Sequence, residues 1–309
     1  MNEPRRPSAT AGFTAGDWTV HAVETGFFAL DGGSMFGSVP RPLWARLQPP
    51  DERNRIRLAM RCMLLVGHGR RILVDDGIGE KFAPRLAEIY GIENEVTLER
   101  SLADLGWTVN DITDVVLTHL HFDHAGGSTR REGGGLVPRL PRATYHVQRR
   151  NLENARRPNP RERASYLPEN FEPLAEAGVL EVWDGPRTPW PGVEVFTADG
   201  HTRGQQMLRV GDVGAGAYFV ADLIPTSSHV RIPYVMGYDV AAIETMEEKR
   251  AMLTRAAAEE AWVLLEHDPA VAWAKPAAEG DDFAWSDTVS AAGANPPGPG
   301  ARERDGRPA

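Results

Sequence analysis

His119-Leu120-His121-Phe122-Asp123-His124 places three imidazoles and a carboxylate within six positions. Burying so many titratable groups without a ligand carries a large desolvation cost. The block directly follows residues 114–118 (DVVLT), which read as a compact buried strand. Alternation at the end of an extended strand puts His119 and His121 on one side. The chain then turns toward a helix, so Asp123 and His124 face a second point nearby. That arrangement suits two metal ions rather than one. Gly126 and Gly127 then let the backbone pass close to the site without a Cβ clash.

One compact block supplies too few ligands for two metals, so further ligands are expected downstream. His201 follows VEVFTAD, Asp222 ends AYFVAD and His267 ends WVLLEH, each at the end of an expected strand. Loops at strand ends are where α/β scaffolds place chemistry. The donors are nitrogen and oxygen only, which suits Zn²⁺ and also Fe²⁺, Mn²⁺ or Co²⁺. His21, His68 and His146 have no ligand-like neighbours and read as structural or surface residues. The lone cysteine, Cys62, cannot form an internal disulfide and reads as a small core hydrophobe.

The elements that must position these residues alternate between strand and helix. Apolar runs at 18–25, 59–66 and 71–74 suit strands, the last two meeting at a turn around 67–69. Further strands are expected at 143–147, 193–197, 217–221 and 261–266. Helical spacing covers 96–105, and the longest helix is expected at 241–260. The pattern is α/β: a single catalytic domain over 17–280, with flexible tails at 1–16 and 281–309.

The chain has 309 residues with 34 Lys+Arg against 43 Asp+Glu, a net charge of −9. That balance argues against a nucleic-acid binder or a binder of anionic membranes, both of which need clustered positive charge. No run approaches the ~18 apolar residues of a membrane span, and no signal-peptide core opens the chain. A cytoplasmic protein acting on a small molecule is the resulting expectation. No G-x-S-x-G elbow is present, so a serine nucleophile is not called for.

From about residue 18 to 276 the sequence resembles the metallo-β-lactamase superfamily, through Asp75 in ILVDDG, the HLHFDH block, His201, Asp222 and His267. The resemblance implies an αββα sandwich with a dinuclear metal site at the edge of the two sheets. It implies that His119, His121 and His201 hold one metal, that Asp123, His124 and His267 hold the other, and that Asp222 bridges them. Asp75 would hydrogen-bond a ligand or the strand carrying the block; strand alternation points Asp76 the other way. The carboxylate at 222 departs from class B β-lactamases, and His121 departs from diiron flavoproteins, which have Glu there. The short C-terminal remainder departs from glyoxalase II, and the acidic balance from RNA-processing members.

Residues 31–44 (DGGSMFGSVPRPLW), with MRCMLLV, VLTHLHFDHAGG and ADLIPTSSH, are most similar to the YtnP-like quorum-quenching N-acyl-homoserine lactonases. The segment reads as a Gly/Pro-rich loop in which Met35, Phe36 and Trp44 wall the substrate's acyl chain. Several homoserine lactonases carry a Tyr three residues after the bridging Asp. Here that position is Pro225, leaving His229 as the expected donor to the substrate carbonyl. The resemblance implies hydrolysis of the lactone ring by hydroxide bridging two divalent metals, zinc first among them, with Asp123 relaying the proton. It also implies a homodimer formed through 31–44. Phosphotriesters and aryl esters are the alternative substrates for such a site. A metal- or signal-binding module without turnover is the alternative from a different class.

Overall fold

The computed structural model describes residues 12–291. Its strands fall in chain order as β1 (Phe13–Ala15), β2 (Trp18–Asp31), β3 (Arg55–Gly67), β4 (Arg70–Val74), β5 (Asp114–Val116), a small hairpin of β6 (Thr129–Glu132) and β7 (Gly135–Pro138), β8 (Thr144–Gln148) and β9 (Leu180–Trp183). They continue through β10 (Arg187–Trp190), β11 (Val193–Ala198), β12 (Gln205–Val210), β13 (Ala217–Phe219), β14 (Trp262–Leu264), β15 (Val271–Glu279) and β16 (Asp282–Ser290). The first large sheet runs β1-β2-β3-β4-β5-β8-β9 and the second β10-β11-β12-β13-β14-β15-β16. The parallel pairs β4/β5, β5/β8 and β13/β14 bring the site-bearing strand ends to one edge.

Side-chain alternation builds the layers. On β3 and β4, Met63, Leu65, Ile72 and Val74 face the second sheet, meeting Val195, Leu208, Phe219 and Leu264. Their neighbours Cys62, Leu64 and Leu73 face outward, where α-helices at Leu98–Asp104, Arg149–Arg156 and Glu172–Glu176 cover them. The outer face of the second sheet is covered by the helix Ala242–Ala258 through Met252, Leu253 and Ala256. The result is the αββα sandwich, and Cys62 packs as a buried free thiol.

Two boundaries differ from expectation. The expected tail from 281 begins with an ordered edge strand: β16 pairs along β15 from Glu279↔Asp282 to Val271↔Ser290. Gly280, at φ 62°, makes the hairpin turn that the composition of this segment obscures. Phe283 and Trp285 then supply buried surface. At the other end β1 lies inside the expected tail and pairs with β2, and Phe13 packs edge-on against Trp273 at 5.1 Å. The remainder of both expected tails, 1–11 and 292–309, lies outside the described residues. Among the described residues no helix is long and apolar enough to cross a membrane.

The segment 31–44 is also not a plain loop. Asp31 Oδ1 accepts from Ser34 N at 2.8 Å and caps a short helix, Gly32–Phe36. Pro42 near the start of the next helix, Arg41–Leu47, stands where a missing N–H costs nothing.

Candidate metal centre

The block follows β5 directly, and His121 opens a one-turn helix, Phe122–Ala125. The turn after β4 packs against it very closely. A Cβ on Gly126 would lie 2.3 Å from Ile78 O, and one on Gly127 2.1 Å from Asp76 O, so both positions require glycine. His201 follows β11, Asp222 follows β13 and His267 follows β14.

These strand ends converge into two groups. His119, His121, His201 and Asp222 have ligand atoms within 4.8 Å of one another, as do those of Asp123, His124 and His267. Asp222 lies between the groups: its Oδ2 is 3.1 Å from His201 Nε2, and its Oδ1 is 3.0 Å from His267 Nε2. Asp123 Oδ2 stands 3.7 Å from His124 Nε2 and 3.8 Å from His267 Nε2. All seven side chains are buried.

Four of the five histidines are fixed from behind through Nδ1, which turns Nε2 inward. His119 donates to Thr118 Oγ1 at 3.1 Å, and Thr118 Oγ1 donates to Asp75 Oδ2 at 2.7 Å. His124 donates to Asp75 Oδ2 at 3.0 Å, His201 to Asp239 Oδ1 at 2.9 Å, and His267 to the Ala59 carbonyl at 2.8 Å. Asp75 also accepts from Thr118 N at 2.7 Å, so it holds both a histidine and the strand end carrying the block. It adopts φ 58°, a left-handed conformation uncommon for a non-glycine residue, and three hydrogen bonds to its carboxylate hold it there. Asp76 turns away to Ser128 Oγ. Asp239 and Glu266, whose Oε1 lies 3.2 Å from His124 Nδ1, are partners that the sequence did not single out. Asp239 has no motif around it, while Glu266 is marked only by standing next to His267.

The inward nitrogens approach one another closely. His121 Nδ1 is 3.0 Å from His119 Nε2 and 3.3 Å from His201 Nε2; His267 Nε2 is 3.3 Å from His124 Nε2. With protons on the outer nitrogens, lone pairs meet lone pairs, and a cation between them relieves the repulsion. His121 Nε2 and Asp222 Oδ1 are buried with no hydrogen-bond partner. Burial, followed by the neighbouring imidazoles, pushes His119 and His121 well below the ordinary histidine range. Burial alone would raise Asp222, but His201, His124 and His267 draw its carboxyl well below the carboxylate range. Burial opposes charge on the other three histidines, but the acids beside them outweigh it: Glu266, Asp123 and Asp222 raise His124 well above the ordinary range, and Asp222 foremost raises His201 to about 10 and His267 to about 9. A divalent cation would take the place of those protons, and imidazole and carboxylate donors fit it.

Above the centre lies a cavity of about 340 Å³, within the range of small-molecule sites. Phe28, Leu30, Met35, Leu58, Phe122 and Met236 form its apolar wall. Tyr90, Arg161, Ser165 and Tyr238 bring polar groups to it. Of the three residues expected to wall the acyl chain, Met35 does line the cavity. Phe36 and Trp44 do not: they stack on each other at 5.6 Å and are buried behind it. His229 is corrected as well. It is fully buried, donates from Nε2 to Met35 O at 2.9 Å, accepts at Nδ1 from Thr226 Oγ1 at 2.7 Å, and stacks on Phe36 at 4.6 Å. Both ring nitrogens are engaged within the protein, so neither can serve as donor to a substrate carbonyl. Burial pushes its pKa down to about 3, which keeps the ring neutral.

Residues 59–292 match the model of the metallo-beta-lactamase superfamily, and the chain belongs to that superfamily. It is 28% identical to an N-acyl homoserine lactonase of Bacillus cereus over 167 residues, which is 51% of this chain and 60% of that protein. The match therefore spans less than two thirds of the curated relative's length. Among solved structures, a probable metal-dependent hydrolase from Staphylococcus aureus superposes with a TM-score of 0.83 at 27% identity, covering 90% of this chain and 98% of that one. AidC, a dizinc quorum-quenching lactonase solved with its product, shares the fold at a TM-score of 0.72 and 18% identity, over 90% of this chain and 98% of that one.

Proposed function

We propose that the protein is a dinuclear metal-dependent hydrolase that opens the lactone ring of N-acyl-homoserine lactones. The observation that carries this reading is Asp222, one carboxylate that reaches both buried histidine groups at the floor of an apolar-walled cavity: Oδ2 lies 3.1 Å from His201 Nε2 and 3.5 Å from His124 Nε2, and Oδ1 lies 3.0 Å from His267 Nε2. The name of the Bacillus cereus relative supports the choice of lactone. His119, His121 and His201 would hold one cation and Asp123, His124 and His267 the other, with Asp222 shared. Bound divalent cations, zinc foremost for this donor set, supply Lewis acidity and bring the pKa of bound water to about 7.

The chain's own residues do the rest. The apolar wall takes the acyl chain and excludes water from the reacting carbonyl. Tyr90 and Tyr238 line the cavity and take the donor role that His229 cannot fill. Asp123, also at the cavity surface, holds the proton that passes to the departing ring oxygen. The aromatic side chains Phe28, Tyr90 and Phe122 favour aryl esters as a second substrate class.

Acid release from N-butanoyl- and N-dodecanoyl-homoserine lactone, followed with a pH indicator on metal-loaded protein, tests the proposal. Rapid ring opening is expected, and it should vanish in Asp222→Ala and after chelation. A protein carrying two metals that releases no acid from either lactone overturns the substrate assignment.

A further inference from the structure

Two loops meet over the cavity mouth. Residues 159–166 bring Arg161, Glu162 and Ser165 to one side, and residues 236–239 bring Met236, Gly237 and Tyr238 to the other. Each is anchored at its base. Glu162 accepts from Thr202 Oγ1 and from Asn154 Nδ2, the latter at 3.2 Å, and Ser165 O accepts from Phe122 N at 2.9 Å. Asp239 accepts from His201 Nδ1 and from Met236 N, while Gly237 N donates to Ser34 O at 2.8 Å. Across the gap between the loops runs one guanidinium. Arg161 Nη2 donates to the Gly237 carbonyl and, at 3.2 Å, to the Asp239 carbonyl.

We propose that Arg161 is a specificity-determining strap, which pins the 236–239 loop to the 159–166 loop and so limits the bulk of substrate the cavity admits. The proposal rests on reading the cavity as the substrate site of the hydrolase. Arg161 acts through the loops it joins and is a positioning residue. Both bonds leave Nη2, whose two hydrogens are fixed in the guanidinium plane, whereas the hydrogens of a lysine ammonium rotate at the end of a flexible stem and hold two carbonyls less firmly. Arg161 is exposed, so its removal leaves the core and the metal-binding residues intact.

The test uses the metal-loaded full chain as wild type, Arg161→Ala and Arg161→Lys. Backbone amide exchange at 236–239 reports the strap directly. Calorimetric binding of ring-opened N-butanoyl- and N-dodecanoyl-homoserine reports size selection without turnover, and kcat/KM for the two lactones reports it with turnover. In Arg161→Ala, exchange is expected to rise about tenfold as the Gly237 and Asp239 carbonyls lose their shared guanidinium donor. The dodecanoyl-to-butanoyl affinity ratio should shift by a similar factor, at unchanged metal content, with Arg161→Lys between. The change should appear in KM more than in kcat, which a general loss of structure would not produce. Exchange or a chain-length ratio that stays at the wild-type value overturns the strap, even if lactones are hydrolysed. Binding that shifts as expected in a protein that opens no lactone leaves the strap standing and overturns the hydrolase assignment. Wild-type protein that binds neither product overturns both.

Discussion

A ligand's geometry is set by what stands behind it, and the two acids that do this here act on different histidines. Asp75 holds His124 directly and His119 through Thr118, while Asp239 holds His201. Asp75→Ala and Asp239→Ala should each weaken zinc binding by about 10–100-fold. Competition with a chromophoric chelator measures this, and unchanged affinity in both would remove their positioning role. His229 makes the opposite case. It lies close to the site in sequence and space, yet its nitrogens secure the Met35 carbonyl and Thr226. His229→Ala should lower unfolding free energy by about 2 kcal/mol, from the partners left unsatisfied, at wild-type metal stoichiometry. Urea denaturation beside metal analysis separates the two effects; loss of metal without loss of stability would reverse the assignment.

Between residue and molecule stand the elements, and here the least conspicuous one has consequences at the site. β16 supplies Trp285, whose Nε1 donates to Ser227 O at 2.8 Å, and Asp282, whose Oδ1 accepts from Ile232 N at 2.8 Å. It thereby holds the chain that runs on from Asp222. Trp285→Ala should cost about 2 kcal/mol in urea denaturation, from lost packing and one hydrogen bond; an unchanged midpoint would show that the edge strand is dispensable. Sequence periodicity reached the elements whose burial is decided locally. The strand at DVVLT and the helix whose Thr97 cap accepts from Arg100 N stood out by their apolar spacing, and the long helix Ala242–Ala258 by its Ala-, Glu-, Met- and Leu-rich composition. β16 did not, because its alternation is interrupted by Ser286, Asp287 and Thr288, and because the Pro/Gly-rich sequence that follows dilutes the apolar content of the whole segment. The ligand block was legible because clustered imidazoles need a reason to be together. Asp239, Arg161 and Tyr238 were not, because each gains its role from a loop meeting another loop far away in sequence.

On the scale of the molecule, the second sheet's helix is tied to the cavity side by a buried lysine. Lys249 is fully buried on the helix Ala242–Ala258, and its Nζ donates to the carbonyls of His229, Arg231 and Tyr234 at 3.1, 2.9 and 2.7 Å. Those three acceptors lie on the segment that leads from the Asp222 strand end to the 236–239 loop. Burial lowers the lysine from its ordinary 10.5 to about 7, against the opposing pull of Asp239 and Asp282. A depressed folded-state pKa means that, between about pH 7 and 10, the unfolded chain holds a proton that the folded chain has released. Stability from this group therefore rises as pH climbs through that window, and it is lost as pH falls through about 7. Lys249→Met removes the titration while keeping an unbranched apolar stem in its place. Unfolding free energies from urea denaturation across the window should climb more steeply for wild type than for Lys249→Met, and the difference isolates this one group from every other that titrates there. Parallel profiles would mean that the three carbonyls hold the proton on Lys249 throughout, which would make the tie between helix and cavity loop indifferent to pH.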